Sequence, residues 1–226
     1  MVKGEERMKI LIGTPFKDAA PDEFIKCLVD MVLYTQAQGH EVEFTNEHGG
    51  LYDCRDRICK RVMREHFDYM LQLDSDMTFP PDALCKLLER DVDVITGVYV
   101  GKGENHKPVL FTELHKDDEN CGPYALKHGL GELMKDEVFE VKGCGAGFLL
   151  VKEHIIRIMM IHMHEWFKPY AGLGEDVSFC QRCTELGIKV YADNSFKMGH
   201  IKYIQYSIDD WTGVEDDEDV AKKLGG

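Results

Sequence analysis

The chain has 226 residues, 44% of them apolar, which is enough to bury one substantial hydrophobic core and favours a single domain. Its formal net charge of −14 argues against binding of bulk nucleic acid, because phosphate binding depends on clustered Lys and Arg. No stretch approaches the roughly 18 apolar residues that a transmembrane helix needs. The composition leaves the oligomeric state open.

The amino-terminal residues 1–8 are polar and charged and lack the apolar segment of a secretory signal. We therefore expect a flexible amino terminus on a cytoplasmic protein, in which the eight cysteines are reduced thiols. Cys180 and Cys183 form a C-x-x-C pattern, but no second pair accompanies it. Because structural zinc needs four ligands, buried thiols are the favoured interpretation. Residues 211–226 are acidic and are predicted to form a mobile tail.

The first half of the chain alternates strand and helix patterns. Strands are predicted at 9–13, 41–45, 69–73 and 92–100, helices at 21–39, 53–66 and 81–90, and a loop at 14–16. This alternation predicts a parallel sheet with helices on both faces. The second helix carries a basic cluster, which we expect on its exposed face rather than in a basic pocket. Its members are Arg55, Arg57, Lys60 and Arg61.

The alternation lapses between Gly101 and Glu140, a polar segment rich in Gly and His. We interpret it as a hairpin-like excursion over the site rather than a second domain. Strands then follow from 138 and at 148–151 and 188–192, with helices at 154–164 and 176–186. The predicted fold class is α/β, a single domain over 9–210 built as a three-layer α/β/α sandwich with a mostly parallel central sheet.

Two carboxylates, Asp74 and Asp76, directly follow the third predicted strand. Because alternate residues of a strand share a face, both should overhang the crevice at the carboxyl end of the sheet. Paired carboxylates there favour Mg²⁺ or Mn²⁺, which take oxygen ligands. The same spacing at 91–93 and 217–219 lacks this context, since only the pair at 74–76 closes a strand and precedes a loop with two prolines.

Two further groups are candidates for chemistry. Glu175 and Asp176 follow a glycine-rich loop at a predicted helix start, where the helix dipole favours an ionised carboxylate. That environment suits a general base, and an ordinary helix cap is the competing interpretation. His200 follows a glycine and is either a third metal ligand or one more of the ten histidines of the chain.

In their order along the chain, five segments resemble a nucleotide-sugar-dependent glycosyltransferase of the GT-A fold, with the family-two-like group the most similar. They are Thr14-Pro15, LQLDSDM at 71–77, CGAGFLLV at 144–151, YAGLGEDVSFCQRC at 170–183 and Gly199-His200. The resemblance spans residues 9–202. It implies transfer of a sugar from a nucleoside diphosphate sugar, a UDP-sugar in preference to a GDP-sugar, to an unidentified hydroxyl acceptor with Mn²⁺ or Mg²⁺.

The resemblance also implies roles on the donor side of the site. Thr14 and Pro15 would line the nucleotide pocket. Arg55 would face the donor, although Arg55-Asp56 matches the Arg-Asn-like motif of such enzymes imperfectly. Asp74 would face the ribose or the metal, and Asp76 would bind the metal that bridges the diphosphate.

The remaining implied roles concern the metal, the acceptor and the sugar. His200 would be a further metal ligand, and the Glu175-Asp176 pair would supply the base, with Asp176 the first choice. A carboxylate base opposite the leaving group favours inversion at the anomeric carbon. Trp166 and Tyr170 would stack on an acceptor ring or be ordinary packed aromatics. Three residues would leave room for the donor sugar: Gly145, Ala146 and Gly147.

Two other functions fit parts of the sequence. Residues 74–78 match the D-x-D-x-T motif of haloacid-dehalogenase-type phosphohydrolases, in which Asp74 would be the nucleophile. That motif normally closes the first strand of its domain, whereas two strand–helix units precede it here, and the downstream motifs are missing. A non-catalytic nucleotide-sugar or glycan-binding protein of the same fold is the third possibility, against which the intact acidic residues argue.

Overall fold

A computed structural model describes residues 7–16, 19–103, 106–115, 125–127, 131, 133–169 and 172–203. The predicted acidic tail at 211–226 and the aromatic candidate Tyr170 lie outside these residues, as do the first six residues of the chain. Among the described residues, no helix combines the length and apolar character that crossing a membrane would require.

The elements follow one another in the order that the sequence patterns predict. The strands are β1 (Lys9–Phe16), β2 (Glu41–His48), β3 (Tyr69–Leu73), β4 (Met77–Thr78), β5 (Val94–Gly97), β6 (Leu110–Phe111), β7 (Glu113–His115), β8 (Ala125–Lys127), β9 (Val138–Val141), β10 (Gly143–Cys144), β11 (Phe148–Lys152), β12 (Val190–Asp193) and β13 (Gly199–His200). The helices are α1 (Asp22–Ala37), α2 (Leu51–Glu65), α3 (Ala83–Glu89), α4 (Glu153–Met163) and α5 (Glu175–Glu185), with a 3₁₀ turn at Leu133–Lys135.

A seven-stranded sheet in the order β2-β1-β3-β11-β5-β12-β9 forms the middle layer. Its strands are parallel except β11 and β9, which pair antiparallel with their neighbours. Alternate side chains of β1 enter opposite cores: Ile10 and Ile12 pack with α1 and α3, and Leu11 packs with α2, α4 and α5. The predicted three-layer α/β/α sandwich with a mostly parallel sheet is confirmed.

Strand β1 is longer than the sequence pattern predicts. Thr14 and Pro15, which we expected in a loop, continue the parallel pairing with β2, opposite Asn46 and Glu47. The pairing of β1 with β3 ends earlier, at Gly13. Beyond that point β2 is the single neighbour of β1 in the sheet. Proline has no amide hydrogen to donate, and it is tolerated there because one side of β1 has no strand to bond to.

The segment after β5 has the predicted hairpin character in its described part. β7 pairs antiparallel with β8, and β6 pairs antiparallel with β10. A bridge between Val100 and Pro108 closes the loop that begins at Gly101. The chain thus leaves the sheet at the carboxyl end of β5 and returns through β9.

A short ladder brings the end of the described chain back to the turn that follows β3. β13 pairs antiparallel with β4, so that His200 lies opposite Met77 and Gly199 opposite Thr78. A hydrogen bond of 2.7 Å from the Ile201 amide to the Asp76 carbonyl extends this pairing. A Cβ atom at Gly199 would lie 2.3 Å from Thr78 Oγ1, so glycine permits the close approach of the two strands.

We expect Gly199→Ala to lower the free energy of unfolding by about 1–3 kcal/mol, because the added methyl group overpacks the β4–β13 contact. Thr78→Ala removes the clashing oxygen, so the double variant should be less destabilised than the two single changes predict together. Urea denaturation of the four proteins measures the coupling. Strictly additive effects would contradict the steric origin.

Candidate active site

The guanidinium of Arg55, on α2, is buried at the carboxyl end of the sheet, with 2% of its surface exposed. Its Nη2 donates to Asp74 Oδ1 at 2.7 Å, and its Nη1 donates to the Ala146 carbonyl and to Gln72 Oε1, each at 3.3 Å. The prediction of an exposed basic face is therefore wrong for this residue. Arg55 shares the buried face of α2 with Ile58, which points the side chain toward the sheet.

The same guanidinium reaches the start of α5. Its Nε lies 3.6 Å from Glu175 Oε1 and forms no hydrogen bond. Burial disfavours the charged guanidinium, but the nearby charges of Asp74 and Glu175 outweigh it and raise the pKa of Arg55. One buried cation thus joins α2, the end of β3 and the first turn of α5.

Asp74 and Asp76 lie in a turn and not in β3, which ends at Leu73. The expectation that strand alternation aligns their carboxylates is therefore wrong, because the turn gives each a different neighbourhood. Asp74 binds Arg55, whereas Asp76 contacts the ammonium of Lys102 and the ring of His200. Contacts with His200 and Lys102 outweigh burial and lower the pKa of Asp76.

The ring of His200 is oriented by a backbone carbonyl. Its Nδ1 lies 3.0 Å from the carbonyl oxygen of Val100, which can only accept, so Nδ1 carries the proton. Its Nε2 then faces Asp76 Oδ1 at 3.3 Å, and that buried oxygen has no hydrogen-bond partner among the described residues. If the imidazole is neutral, Nε2 and Oδ1 are both acceptors and no proton lies between them. A cation bound by both atoms, or a second ring proton, would stabilise this arrangement.

The Asp76 carboxylate and the His200 ring together fit a divalent cation, although they supply only two ligands. In the described part of the chain, no three His, Cys, Asp or Glu side chains are grouped to hold a metal. Asp74 is engaged by Arg55. Mg²⁺ sites commonly use one or two carboxylates together with substrate phosphates rather than an all-protein cage. An Asp76–His200 pair suits that mode of binding, so the prediction for these two residues fits the structure better than that for Asp74.

Asp176 lies in the first turn of α5, next to Glu175. Its Oδ1 accepts a hydrogen bond of 2.7 Å from the Val177 amide. Burial, followed by the neighbouring charge of Glu175, raises the pKa of Asp176 from its ordinary value of 3.8 to about 6. A carboxyl group with that pKa is ionised at neutral pH and is more basic than an ordinary aspartate, as a general base requires.

The glycines of the 145–147 segment make room for a tyrosine. A Cβ atom at Gly145 would lie 2.1 Å from the hydroxyl oxygen of Tyr99, and one at Gly147 would lie 2.9 Å from it. That hydroxyl accepts a hydrogen bond of 3.0 Å from the Gly147 amide. Ala146 is buried and turns its carbonyl to Arg55. A contact of the three residues with the donor sugar stays a prediction.

Two other predicted residues have different environments. Thr14 is buried at the end of β1, and its hydroxyl has no hydrogen-bond partner in the described structure, while Pro15 beside it is half-buried. Trp166 is buried in the core and donates from Nε1 to the Ile156 carbonyl at 2.8 Å. The prediction that Trp166 stacks on an acceptor is therefore wrong, and its interpretation as a packed aromatic is confirmed.

Sequence reasoning missed Lys102, Tyr99 and Gln72. Tyr99 lies near the end of an apolar segment, where nothing in the local pattern distinguishes it from a core residue. Gln72 is a polar residue inside the apolar strand β3, which is a signal for a buried hydrogen bond. Lys102 stands between two glycines after β5, a weak signal for a residue that must approach a site closely.

A cavity of about 360 Å³ lies elsewhere, lined by residues that include Met8, Tyr34, His40 and Tyr69. Met8 and Tyr69 stand at the amino ends of β1 and β3. The acidic cluster, formed by Asp74, Asp76, Glu175 and Asp176, lies at the opposite edge of the sheet. Ligands of open α/β sheets bind outside the carboxyl ends of the strands. We therefore place the candidate site at the acidic cluster.

We expect Arg55→Met to lower the free energy of unfolding by about 2–4 kcal/mol, because it leaves Asp74 and Glu175 without their buried counter-charge. Asp74→Asn in the same chain should recover part of the loss. Arg57→Met on the same helix removes a more exposed ion pair to Glu47 and should cost less than about 1 kcal/mol. Urea denaturation compares the variants, and equal losses for Arg55 and Arg57 would contradict the central role of Arg55.

We expect Asp176→Asn to stabilise the fold at pH 7.5 by about 1–3 kcal/mol. The pKa of about 6 lies above the ordinary value of 3.8, so the ionised carboxylate opposes folding above pH 6. The gain should shrink as the pH falls through 6 and vanish near pH 4, where both states are protonated. Thermal unfolding across this range measures it. Glu185→Gln, at the other end of α5, serves as the control, and a gain that does not depend on pH would contradict the raised pKa.

No protein-family model matches the sequence, and no curated protein matches it significantly. Solved structures share the fold. The crystal structure of A197 from STIV matches over 87% of this chain and 87% of its own, at 16% identity and a TM-score of 0.54. GalNAc-T7, crystallised with UDP, GalNAc and Mn²⁺, matches over 92% of this chain at 9% identity and a TM-score of 0.57, and the match spans 46% of the GalNAc-T7 chain. With the observed sheet order, these similarities show that the chain has the GT-A fold.

Proposed function

We propose that the protein is a metal-dependent glycosyltransferase. It transfers a sugar from a nucleoside diphosphate sugar to an acceptor hydroxyl, with inversion at the anomeric carbon, and residues 9–210 form its catalytic domain. UDP is the favoured nucleotide, which the presence of UDP in the GalNAc-T7 structure supports.

The observation that carries this proposal is the Asp76–His200 pair. A buried carboxylate oxygen of Asp76, which has no hydrogen-bond partner in the described part of the chain, faces a ring nitrogen of His200. The Val100 carbonyl sets the tautomer of that ring. In the GT-A fold, this pair lies at the edge of the sheet where ligands bind. The Mn²⁺ of GalNAc-T7 supports the same choice of cation. Such a cation, when bound, would neutralise the charge that develops on the leaving diphosphate.

Arg55 acts on the donor side through Asp74. The guanidinium holds the Asp74 carboxylate at 2.7 Å and orients it, so that it can accept hydrogen bonds from the donor ribose. The unpaired hydroxyl of Thr14 and the adjacent Pro15 would border the nucleotide, since a buried hydroxyl without a partner favours a polar ligand. The segment from Gly145 to Gly147 would border the sugar.

Asp176 is the proposed base. Its carboxylate takes the proton of the acceptor hydroxyl while the hydroxyl oxygen attacks the anomeric carbon, and the bond to the diphosphate oxygen breaks with its electron pair on the diphosphate. Glu175, held near Arg55, raises the pKa of Asp176 and thereby strengthens the base. Direct attack by the acceptor gives inversion.

The alternative functions are less well supported. A phosphohydrolase would use Asp74 as its nucleophile, but that carboxylate is bound to a buried guanidinium and follows the third strand of the sheet in the chain. A non-catalytic binding protein would have no need of a half-buried carboxyl group, that of Asp176, with a pKa of about 6. The described cysteines are all free thiols, which supports the prediction of a cytoplasmic protein.

The test compares two variants in the presence of UDP, UDP-sugars and Mn²⁺. Asp76→Asn should abolish the Mn²⁺-dependent part of the thermal stabilisation by UDP, because the cation loses its carboxylate ligand. Asp176→Asn should keep that stabilisation and lose transfer by at least about 100-fold, and wild-type transfer should rise with pH through about 6. Release of UDP from a panel of UDP-sugars measures transfer.

Three results would contradict the proposal. Undiminished Mn²⁺-dependent binding by Asp76→Asn would remove the metal assignment, and undiminished transfer by Asp176→Asn would remove the base. A covalent aspartyl phosphate on Asp74 would instead establish the phosphohydrolase alternative.

A further inference from the structure

Lys102 is a cation placed directly on the proposed metal-binding carboxylate. Its ammonium contacts Asp76 Oδ2, the oxygen on the other side of the carboxylate from His200. Its backbone carbonyl accepts a hydrogen bond of 3.1 Å from Lys202 Nζ, which holds the loop in place. The positive charge at Asp76 is therefore supplied by the protein itself in this structure.

The side chain of Lys102 is less enclosed than that of Arg55. It is 35% exposed, and glycines stand on both sides of it in the loop after β5. Arg55, in contrast, is 2% exposed and makes several hydrogen bonds around Asp74. The two carboxylates thus differ: the counter-charge of Asp74 is buried, and that of Asp76 is partly exposed to solvent.

A divalent cation at Asp76 and His200 would meet the ammonium at close range. The two positive charges repel, so Lys102 weakens the binding of a metal ion on its own. A nucleoside diphosphate removes this conflict, because its oxygens offer the ammonium another anionic partner, and lysine binds phosphate well as a point charge. The nucleotide and the metal ion should therefore favour each other's binding.

We propose that Lys102 neutralises Asp76 in the free protein and turns to the diphosphate of the donor when the donor binds. This couples the binding of the divalent cation to that of the nucleotide. The inference rests on the proposed function and deepens it, since it names the residue that would make metal binding depend on the donor. No covalent step is involved, and the coupling is reciprocal between the two ligands.

The experiment measures the affinity of Mn²⁺ alone, of UDP alone and of each in the presence of the other, by calorimetry on the full chain. Lys102→Met and Lys102→Gln should bind Mn²⁺ alone about tenfold more tightly than the wild type. The factor by which UDP improves Mn²⁺ binding should fall by a similar amount. Two controls should behave like the wild type. Lys102→Arg retains the positive charge at this position, and Lys197→Met removes a lysine from an exposed position before β13.

The outcomes separate this proposal from the proposed function. If UDP and Mn²⁺ bind together normally but the Lys102 variants bind Mn²⁺ alone no more tightly than the wild type, the role of Lys102 is refuted and the transferase proposal stands. If Lys197→Met matches the Lys102 variants, the effect is one of net charge and the proposal fails. If no variant binds Mn²⁺ even with UDP, both proposals fail.

Discussion

The buried guanidinium of Arg55 is the constraint on which the rest of the site depends. A charge removed from water is tolerated only when it is paired and hydrogen-bonded. Arg55 meets that requirement through Asp74, the Ala146 carbonyl and Gln72, with Glu175 close to its remaining nitrogen. Because these partners come from separate elements, satisfying one cation brings the turn after β3, the segment before β11 and the start of α5 to a single place.

That arrangement gives each acidic residue a different character. Asp74 is held by a buried counter-charge, while Asp76 faces a partly exposed lysine and an oriented imidazole. Asp176 is half-buried beside Glu175, and desolvation together with that neighbouring charge raises its pKa to about 6. The proposed chemistry needs that division, because it requires a donor-binding side and a base on the acceptor side.

Particular residues show how far the sequence could be interpreted. Asp74 and Asp76 are candidate site residues because they follow an apolar strand, but the expected alignment by alternation within the strand is wrong, since a turn begins at Asp74. Arg55 was expected on an exposed face, although its spacing from Ile58, Cys59 and Val62 along α2 is that of a buried stripe. The helical periodicity of buried positions is present in the sequence, but the basic residues beside Arg55 favoured the interpretation of an exposed face.

The sequence by itself determined the alternation of strands and helices, the α/β class and the elements that carry the acidic residues, because periods of 2.0 and 3.6 residues are local properties of the chain. Only the tertiary structure decided which cation meets which carboxylate: Arg55 with Asp74, and Lys102 with Asp76. It also buried Trp166 away from any acceptor. Such pairings join residues distant in sequence, and they depend on how whole elements pack, which no local pattern encodes.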